Sequence, residues 1–247
     1  MYDFPEVRRA TDALWRGIAR RVEGAPAALT RGRDLDAVWT DPGLLLAQTC
    51  GYPLVTALKG RVSLVATPRY VAAGCEGARY RSAIVVRADD GARGLADVRG
   101  RRCAVNSLDS NSGMNLLRGA VSDLCDAGTR FFGGMVLTGA HAASLRAVAQ
   151  GEADVAAIDC VTWALLGRVR PAAVAGLRVL GWSAASPGLP LITALGGDVA
   201  GLRAVLEEVA VDPGLAWARE ALLLEGFSVL PLDAYKVIDA RPGLEFF

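Results

Sequence analysis

Apolar residues along this chain alternate between two spacings: short continuous runs that read as buried strands, and longer stretches with apolar positions at steps of three and four, the signature of one helical face. Near the start, Phe4, Val7, Thr11, Leu14, Ile18 and Val22 share a face, while Arg8, Arg9, Arg16, Arg20 and Arg21 fall mostly elsewhere. Asp3 followed by Glu6 reads as a capping box opening this amphipathic helix, and Gly24-Ala25-Pro26 ends it. A short segment from Leu35 to Trp39 and the turn Asp41-Pro42-Gly43 lead to strands at Leu44–Ala47, Val62–Ala66 and Ala83–Val86. Leu95 to Val98 makes at most one helical turn within a connector.

A second series opens at the strand Cys103–Val105. It continues through a helix from about Gly113 to Asp126, a strand at Met135–Leu137, a helix carrying Leu145 and Val148 that closes at Gly151, and a strand from Ala153 to Ile158 that ends on Asp159. Strands at Leu177–Leu180 and Leu191–Thr193 follow, and Leu202, Leu206, Val209 and Leu215, Ala218, Leu222 mark the faces of helices in the tail. Alternating strands and helices predict the α/β class, with largely parallel sheets covered by helices on both faces. Connectors near 88–94 and 183–190 bracket a middle region, as in a chain that leaves one domain, builds another and returns. The expected division is 1–87 plus 185–247 for one domain and 88–184 for the other.

Composition narrows the function classes. The 247 residues are 52% hydrophobic, enough for a full core, and 27 Lys+Arg balance 26 Asp+Glu. That balance, with scattered basic residues, argues against a nucleic-acid partner. The densest basic group, Arg99 to Arg102, is interrupted by Gly100 and reads as a solvated strand entry. The cysteines at 50, 75, 103, 125 and 160 contain no C-x-x-C pair, and there is one histidine, so no metal site is expected. Cys103 and Cys160 read as small buried hydrophobes, whereas Cys50 and Cys75 stand in Gly-rich loops where an oxidising compartment could join them. No apolar run approaches the roughly 18 residues of a membrane span. The N-terminus lacks the features of an export signal, so the chain as written is expected in the cytoplasm.

The candidate chemistry gathers where strands end, the edge at which open α/β sheets bind ligands. Asn106-Ser107-Leu108-Asp109-Ser110-Asn111-Ser112-Gly113 lies between a strand and a helix. Its hydroxyls, amides and glycine suit an anion at a helix N-terminus, and they equally suit a plain helix cap. Gln48, Thr49 and Tyr52 follow another strand, Thr138-Gly139-Ala140-His141 a third, and Asp159 a fourth. His141 is either a ligand contact or a structural neighbour of a cap. A carboxylate at Asp159 needs a partner, either a ligand cation or a backbone amide. Tyr52 is either a pocket wall or a core residue with a wet hydroxyl. Ser110 or Cys50 with His141 and Asp159 would supply the residue types of a catalytic triad, but the nucleophile-elbow motif is absent, as are the phosphate loop of nucleotide hydrolases and the dinucleotide fingerprint.

Two stretches resemble a known family. The first runs from Tyr80-Arg81-Ser82-Ala83-Ile84-Val85-Val86-Arg87-Ala88-Asp89 through Leu95-Ala96-Asp97-Val98-Arg99-Gly100-Arg101-Arg102 to Ser110-Asn111-Ser112-Gly113. The second joins Thr138-Gly139-Ala140-His141, Ser144-Leu145, Val148, Gly151 and Ala153-Asp154-Val155-Ala156-Ala157-Ile158-Asp159. Together they are similar to the phosphate/phosphite/phosphonate-type solute-binding proteins of ABC importers. The resemblance implies the two-lobed type II periplasmic-binding-protein fold, with a two-strand hinge and a small anionic ligand in the cleft between lobes. On that likeness Ser110, Ser112 and the Gly113 amide would hold the anionic head group, His141 would approach it from the same lobe, and Ser107 and Asn111 would also belong to the ligand site. Asp159 and Tyr52 would face the remainder of the ligand, with Gln48 and Thr49 contributing from the opposite lobe. It also implies a periplasmic location, a monomer, importer membrane subunits as partners and no cofactor. The family opens with an export signal and a strand ahead of a loop like Met1-Tyr2-Asp3-Phe4, so the start used here is either late or that of a cytoplasmic relative. Ala140 and Asn111 stand where hydroxyl residues are common. The alternative is an enzyme on the same fold, of the kind that makes menaquinone or thiamine precursors.

Overall fold

The structure, a computed structural model, describes residues 2–125 and 129–239. Met1 and Asp126, the latter the expected end of a helix, lie outside the described residues. In chain order the α-helices are α1 (Arg8–Ala19), α2 (Leu35–Trp39), α3 (Gly51–Val55), α4 (Leu116–Val121), α5 (His141–Ala149), α6 (Cys160–Val169), α7 (Val199–Val211), α8 (Ala216–Ala221) and α9 (Lys236–Asp239). The strands are β1 (Ala47–Gln48), β2 (Val62–Tyr70), β3 (Arg79–Tyr80), β4 (Ser82–Arg87), β5 (Arg102–Val105), β6 (Gly134–Leu137), β7 (Val155–Asp159), β8 (Leu177–Trp182), β9 (Ser186–Pro187), β10 (Leu191–Ala194) and β11 (Leu224–Ser228).

The chain divides into two compact units. Among the described residues the first holds 2–71, 76–79 and 187–236, and the second holds 72–75, 80–186 and 237–239. β3 and β9 form a two-stranded sheet of their own, and the unit boundaries fall inside both strands. The boundary expected at 87/88 therefore moves to 79/80. Its cause is backbone pairing: β4 is laddered between β7 and β8, so Ser82–Arg87 belongs with the second unit.

The first unit carries the sheet β1-β10-β2-β11, whose pairs are all antiparallel. The regular strand expected over Leu44–Ala47 is shifted to Ala47–Gln48, although the Leu44 carbonyl still accepts from the Ala194 amide at 3.0 Å. The first helix also begins later than expected. Pro5–Val7 form a 3₁₀ turn, and the Asp3 carboxylate does not cap but binds the Thr11 hydroxyl at 2.7 Å and the Arg31 guanidinium at 2.6 Å. The Arg31 hydrogen bond holds Asp3 below its ordinary carboxylate pKa against the opposing effect of burial. α1 buries Ala10, Ala13 and Gly17 together with the larger Trp15 and Ile18. Gly17 permits this, because a Cβ there would overlap the Leu215 side chain.

The second unit carries the sheet β6-β5-β7-β4-β8. β6, β5 and β7 are parallel to one another, and β4 runs antiparallel to both β7 and β8. The parallel character expected of the whole protein is thus confined to three strands. β4 and β7 are buried through almost their whole length, the condition of strands covered on both faces. Alternate residues Ile84, Val86, Cys103, Val105, Val155 and Ala157 build one core with Leu117, Val121, Phe131 and Phe132. α5, whose Leu145 and Val148 are buried, packs against β4, β5 and β7. Cys103 and Cys160 are buried as expected. Cys50 is buried at the start of α3, and the sulfur that faces Cys75 is that of Cys160; the sequence leaves pairing of Cys75 with Cys50 open.

The centre of this sheet sets a stability expectation. Ile84→Ala removes a side chain with no exposure from β4, a strand paired on both sides, and should cost about 2–5 kcal/mol in urea unfolding. Leu137→Ala, at a site 59% exposed, should cost about 0.5 kcal/mol or less. Equal losses at the two positions would contradict this placement of the core.

Candidate functional site

The three parallel strands deliver their polar residues to one edge of the sheet. β5 ends at Val105 and leads into Asn106–Ser110, β6 ends at Leu137 and leads into Thr138–Ala140, and β7 ends on Asp159. A helical segment begins after each of them. Because neighbouring parallel strands end side by side, the loops at 106–113, 138–141 and 159 are brought together by the ladder alone.

Ser110 takes an extended conformation, and its Oγ accepts a hydrogen bond from the Gly113 amide at 2.9 Å. Asn111–Asn115 then form a π-type turn in which the amides of Met114 and Asn115 both reach the Ser110 carbonyl, at 3.2 and 3.1 Å. The cap reading of this loop is therefore realised, and the Gly113 N–H expected to meet a ligand is engaged by Ser110. Gly113 is required sterically: a Cβ there would overlap Oδ1 of Asn106 and come within 3.3 Å of His141 Cε1.

Ser110, Asn111 and Ser112 are all buried, so their polar groups need partners inside the protein. Asn111 Nδ2 donates to the Tyr80 hydroxyl at 3.0 Å and to Ser186 Oγ at 2.9 Å. The Ser82 hydroxyl donates to the Ser112 carbonyl at 2.9 Å, and Ser82 lies opposite Asp159 in the β4–β7 ladder. The Ser82 amide in turn donates to Ser183 Oγ at 2.8 Å. Tyr80, Ser82, Ser183 and Ser186 escaped the sequence reading. Their signal is faint: Tyr80 and Ser82 are single hydroxyls beside an apolar run, and Ser183 and Ser186 stand in the 183–190 connector, whose sequence reads only as a chain break.

Ser112 Oγ and His141 Nε2 are 2.8 Å apart, joining the β5 and β6 loops. The β6 loop is fixed from below, since Thr138 Oγ1 lies 2.7 Å from Ser144 Oγ and donates to the Val105 carbonyl at 3.2 Å. Burial strips water from the imidazole and pushes its pKa down to about 4, against the Ala157 backbone carbonyl, which favours the charged form. At neutral pH His141 is an uncharged hydrogen-bonding group.

The remaining candidates divide. Asp159 is 2% exposed and caps α6, its Oδ1 accepting from the amides of Val161 and Thr162, each at 2.9 Å. Backbone amides are one of the two kinds of partner that the sequence leaves open for it. The Ser107 hydroxyl turns to the Asp109 carboxylate instead of joining the Ser112–His141 group. Gln48, Thr49 and Tyr52 belong to the first unit. There Gln48 Nε2 donates to the Tyr70 hydroxyl and the Leu189 carbonyl at 3.4 and 3.3 Å. Thr49 is fully buried, with its amide on the Pro190 carbonyl at 3.0 Å, and Tyr52 is half-buried on α3. No group of three or more metal-binding side chains occurs among the described residues.

A family profile described as the periplasmic substrate-binding protein of a phosphonate ABC transporter matches residues 44–209. Solved structures share the fold at low identity. A binding-protein component of a phosphonate ABC transporter from Pseudomonas aeruginosa superposes with a TM-score of 0.71 at 18% identity, covering 94% of this chain and 80% of that one. PhnD1 from Prochlorococcus marinus, in complex with methylphosphonate, gives 0.71 at 14% identity over 94% and 92%. A Xanthomonas citri protein bound to ATP gives 0.67 at 17% identity over 95% of each chain. No curated protein sequence matches the chain.

Two expectations follow from the loop geometry. His141 is the chain's one histidine, so a single imidazole resonance should titrate near 4 in the folded protein, well below the usual 6.5. The unfolded chain takes up this proton first as pH falls. Stability should therefore be unaffected by this group above pH 6.5 and should drop as pH descends from 6.5 towards 4. The loss should reach at most about 3 kcal/mol, less where water reaches the ring edge, and His141→Gln should flatten the curve. Titration at the usual value would show a hydrated ring. Separately, Gly113→Ala must displace the Asn106 amide and should cost about 1–3 kcal/mol in denaturant unfolding; an unchanged midpoint would mean that the loop has room to spare.

Proposed function

Because the chain belongs to the family of phosphonate ABC-transporter periplasmic substrate-binding proteins, we propose that its second unit holds the head group of a phosphonate-class oxyanion at the carboxyl edge of β6, β5 and β7. The general role, capture of a solute, is that of the family, and nothing supports the alternative of a menaquinone- or thiamine-precursor enzyme. Members of the family are periplasmic, and among the described residues no helix is long and apolar enough to cross a membrane. The captured ligand would pass to the membrane subunits of an importer.

The observation that carries the reading is the Ser112–His141 pair at 2.8 Å, set beside the helix-capping hydroxyl of Ser110. All three groups are neutral, and an oxyanion would accept from whichever of Ser112 and His141 now donates to the other, together with the Ser110 hydroxyl. They sit where the amide dipoles of the turn beginning at Asn111 point their positive ends. Holding an anion by neutral donors limits the desolvation cost, because no buried cation has to be maintained when the site is empty. The uncharged imidazole fits this design, and so does the network from Tyr80, Ser82 and Ser186, which fixes the loop before any ligand arrives. The methylphosphonate bound to the similarly folded Prochlorococcus marinus protein supports the ligand class.

Calorimetric titration with methylphosphonate, inorganic phosphate, an aliphatic sulfonate and ATP tests the proposal. Methylphosphonate or phosphate should bind, and Ser112→Ala should weaken that binding by about 10–150-fold through loss of one hydrogen bond to a charged group. Ser107→Ala, whose hydroxyl is turned to Asp109, should leave affinity within about twofold. Absence of binding by every anion, or identical affinity in Ser112→Ala, would overturn the assignment.

A further inference from the structure

Cys75 and Cys160 stand 85 positions apart in the chain with their sulfurs 3.4 Å from each other. Both belong to the second unit. The approach is built into the loop: the Cys75 amide closes a turn onto the Ala72 carbonyl at 2.9 Å, and Gly74 adopts a φ of +94°. A Cβ at Gly74 would lie 2.7 Å from Trp182 Cζ3 and 3.1 Å from the Cys160 Cβ, so glycine is what lets the loop descend onto the start of α6. On the other side, the Cys160 amide donates to the Arg81 carbonyl at 3.1 Å, which fixes its position. We infer that Cys75 and Cys160 are a dithiol that closes to a disulfide when the protein meets an oxidising disulfide.

The two thiols are unequal in the way the reaction needs. Cys75 is partly exposed, and a hydrogen bond from Cys160 holds its pKa below the ordinary thiol value, whereas Cys160 is fully buried and held above it by the same hydrogen bond and by burial. The Cys75 thiolate attacks the oxidant RSSR, forming a mixed disulfide and expelling one thiolate RS⁻. Cys160 then attacks the Cys75 sulfur as it loses its proton, expelling the second RS⁻. Two protein thiols give up two electrons and two protons, and the oxidant leaves as two thiols. Closing from 3.4 Å to the roughly 2.05 Å of an S–S bond moves each sulfur by only about 0.7 Å. The bond would fasten the 72–75 loop to the residue following Asp159, and it would form only in compartments where such an oxidant persists. It does not depend on the ligand assignment.

The full-length protein, reduced and then exposed to oxidised glutathione, provides the test. After denaturation, three of the five thiols should remain open to alkylation, and an unreduced tryptic map should show peptide 70–79 joined to peptide 147–168. The melting temperature should rise by about 10 °C, as expected for closing so long a loop, and dithiothreitol should reverse it. Cys75→Ser should abolish both the linked peptide and the oxidant-dependent rise. Five alkylatable thiols after oxidation, a glutathione adduct that persists on Cys75, or a bond from Cys75 to any other cysteine would each overturn the inference.

Discussion

A polar loop that is taken out of water must find its hydrogen-bond partners within the protein, and the second unit is arranged around that requirement. Ser110, Asn111 and Ser112 lie buried at the end of β5, where each unsatisfied donor or acceptor would cost about 1–3 kcal/mol. Tyr80, Ser82 and Ser186 supply partners from chain segments distant in sequence, and the Ser112–His141 contact ties in the neighbouring loop. Once these are set, Gly113 has no room for a side chain and Asn106 no room to move towards it. These bonds leave the loop few alternative arrangements, although Asn106 Oδ1 and His141 Nδ1 are buried without a hydrogen-bond partner among the described residues.

That rigidity bears on recognition. On the proposed reading, an anion entering this edge would exchange its water for hydroxyls and an imidazole that are already oriented, so little ordering would remain to be done on binding. The imidazole is kept neutral by burial, and no charge has to be sustained in the empty site. Asp159, one strand away, has its carboxylate turned onto the amides of α6, where it stabilises the helix start. A family that captures solutes without transforming them requires this kind of fixed donor set and no proton-transfer group with a pKa near neutrality.

Much of this was legible before any coordinates. The amphipathic helix of the first unit, the strands at Cys103–Val105, Met135–Leu137 and Leu177–Leu180, and the polar turns at strand ends all follow from local spacing, because the strand and helix periods are set by backbone geometry. What local spacing could not reveal was strand direction. β4 reads as an ordinary apolar run like its neighbours, yet it runs against both β7 and β8, and its two ladders place that whole strand in the second unit. The Asp3 and Glu6 pattern of a capping box was likewise overruled by Arg31, which is far along the chain and offers Asp3 a stronger, charge-assisted partner.

The sequence by itself determined that strands alternate with helices and that Ser110-Asn111-Ser112-Gly113 caps a helix, since capping is a matter of a few adjacent residues. It also placed His141 and Asp159 at the ends of strands, and on that ground grouped them with Ser112. Only the tertiary structure decided that Ser112 meets His141, that Asp159 spends its carboxylate on its own helix, and that Cys75 faces Cys160 and not Cys50. Each of these depends on which strands lie side by side and in which direction. Ladder pairing is a long-range choice, made by the burial of whole strands and not by the residues that happen to end them.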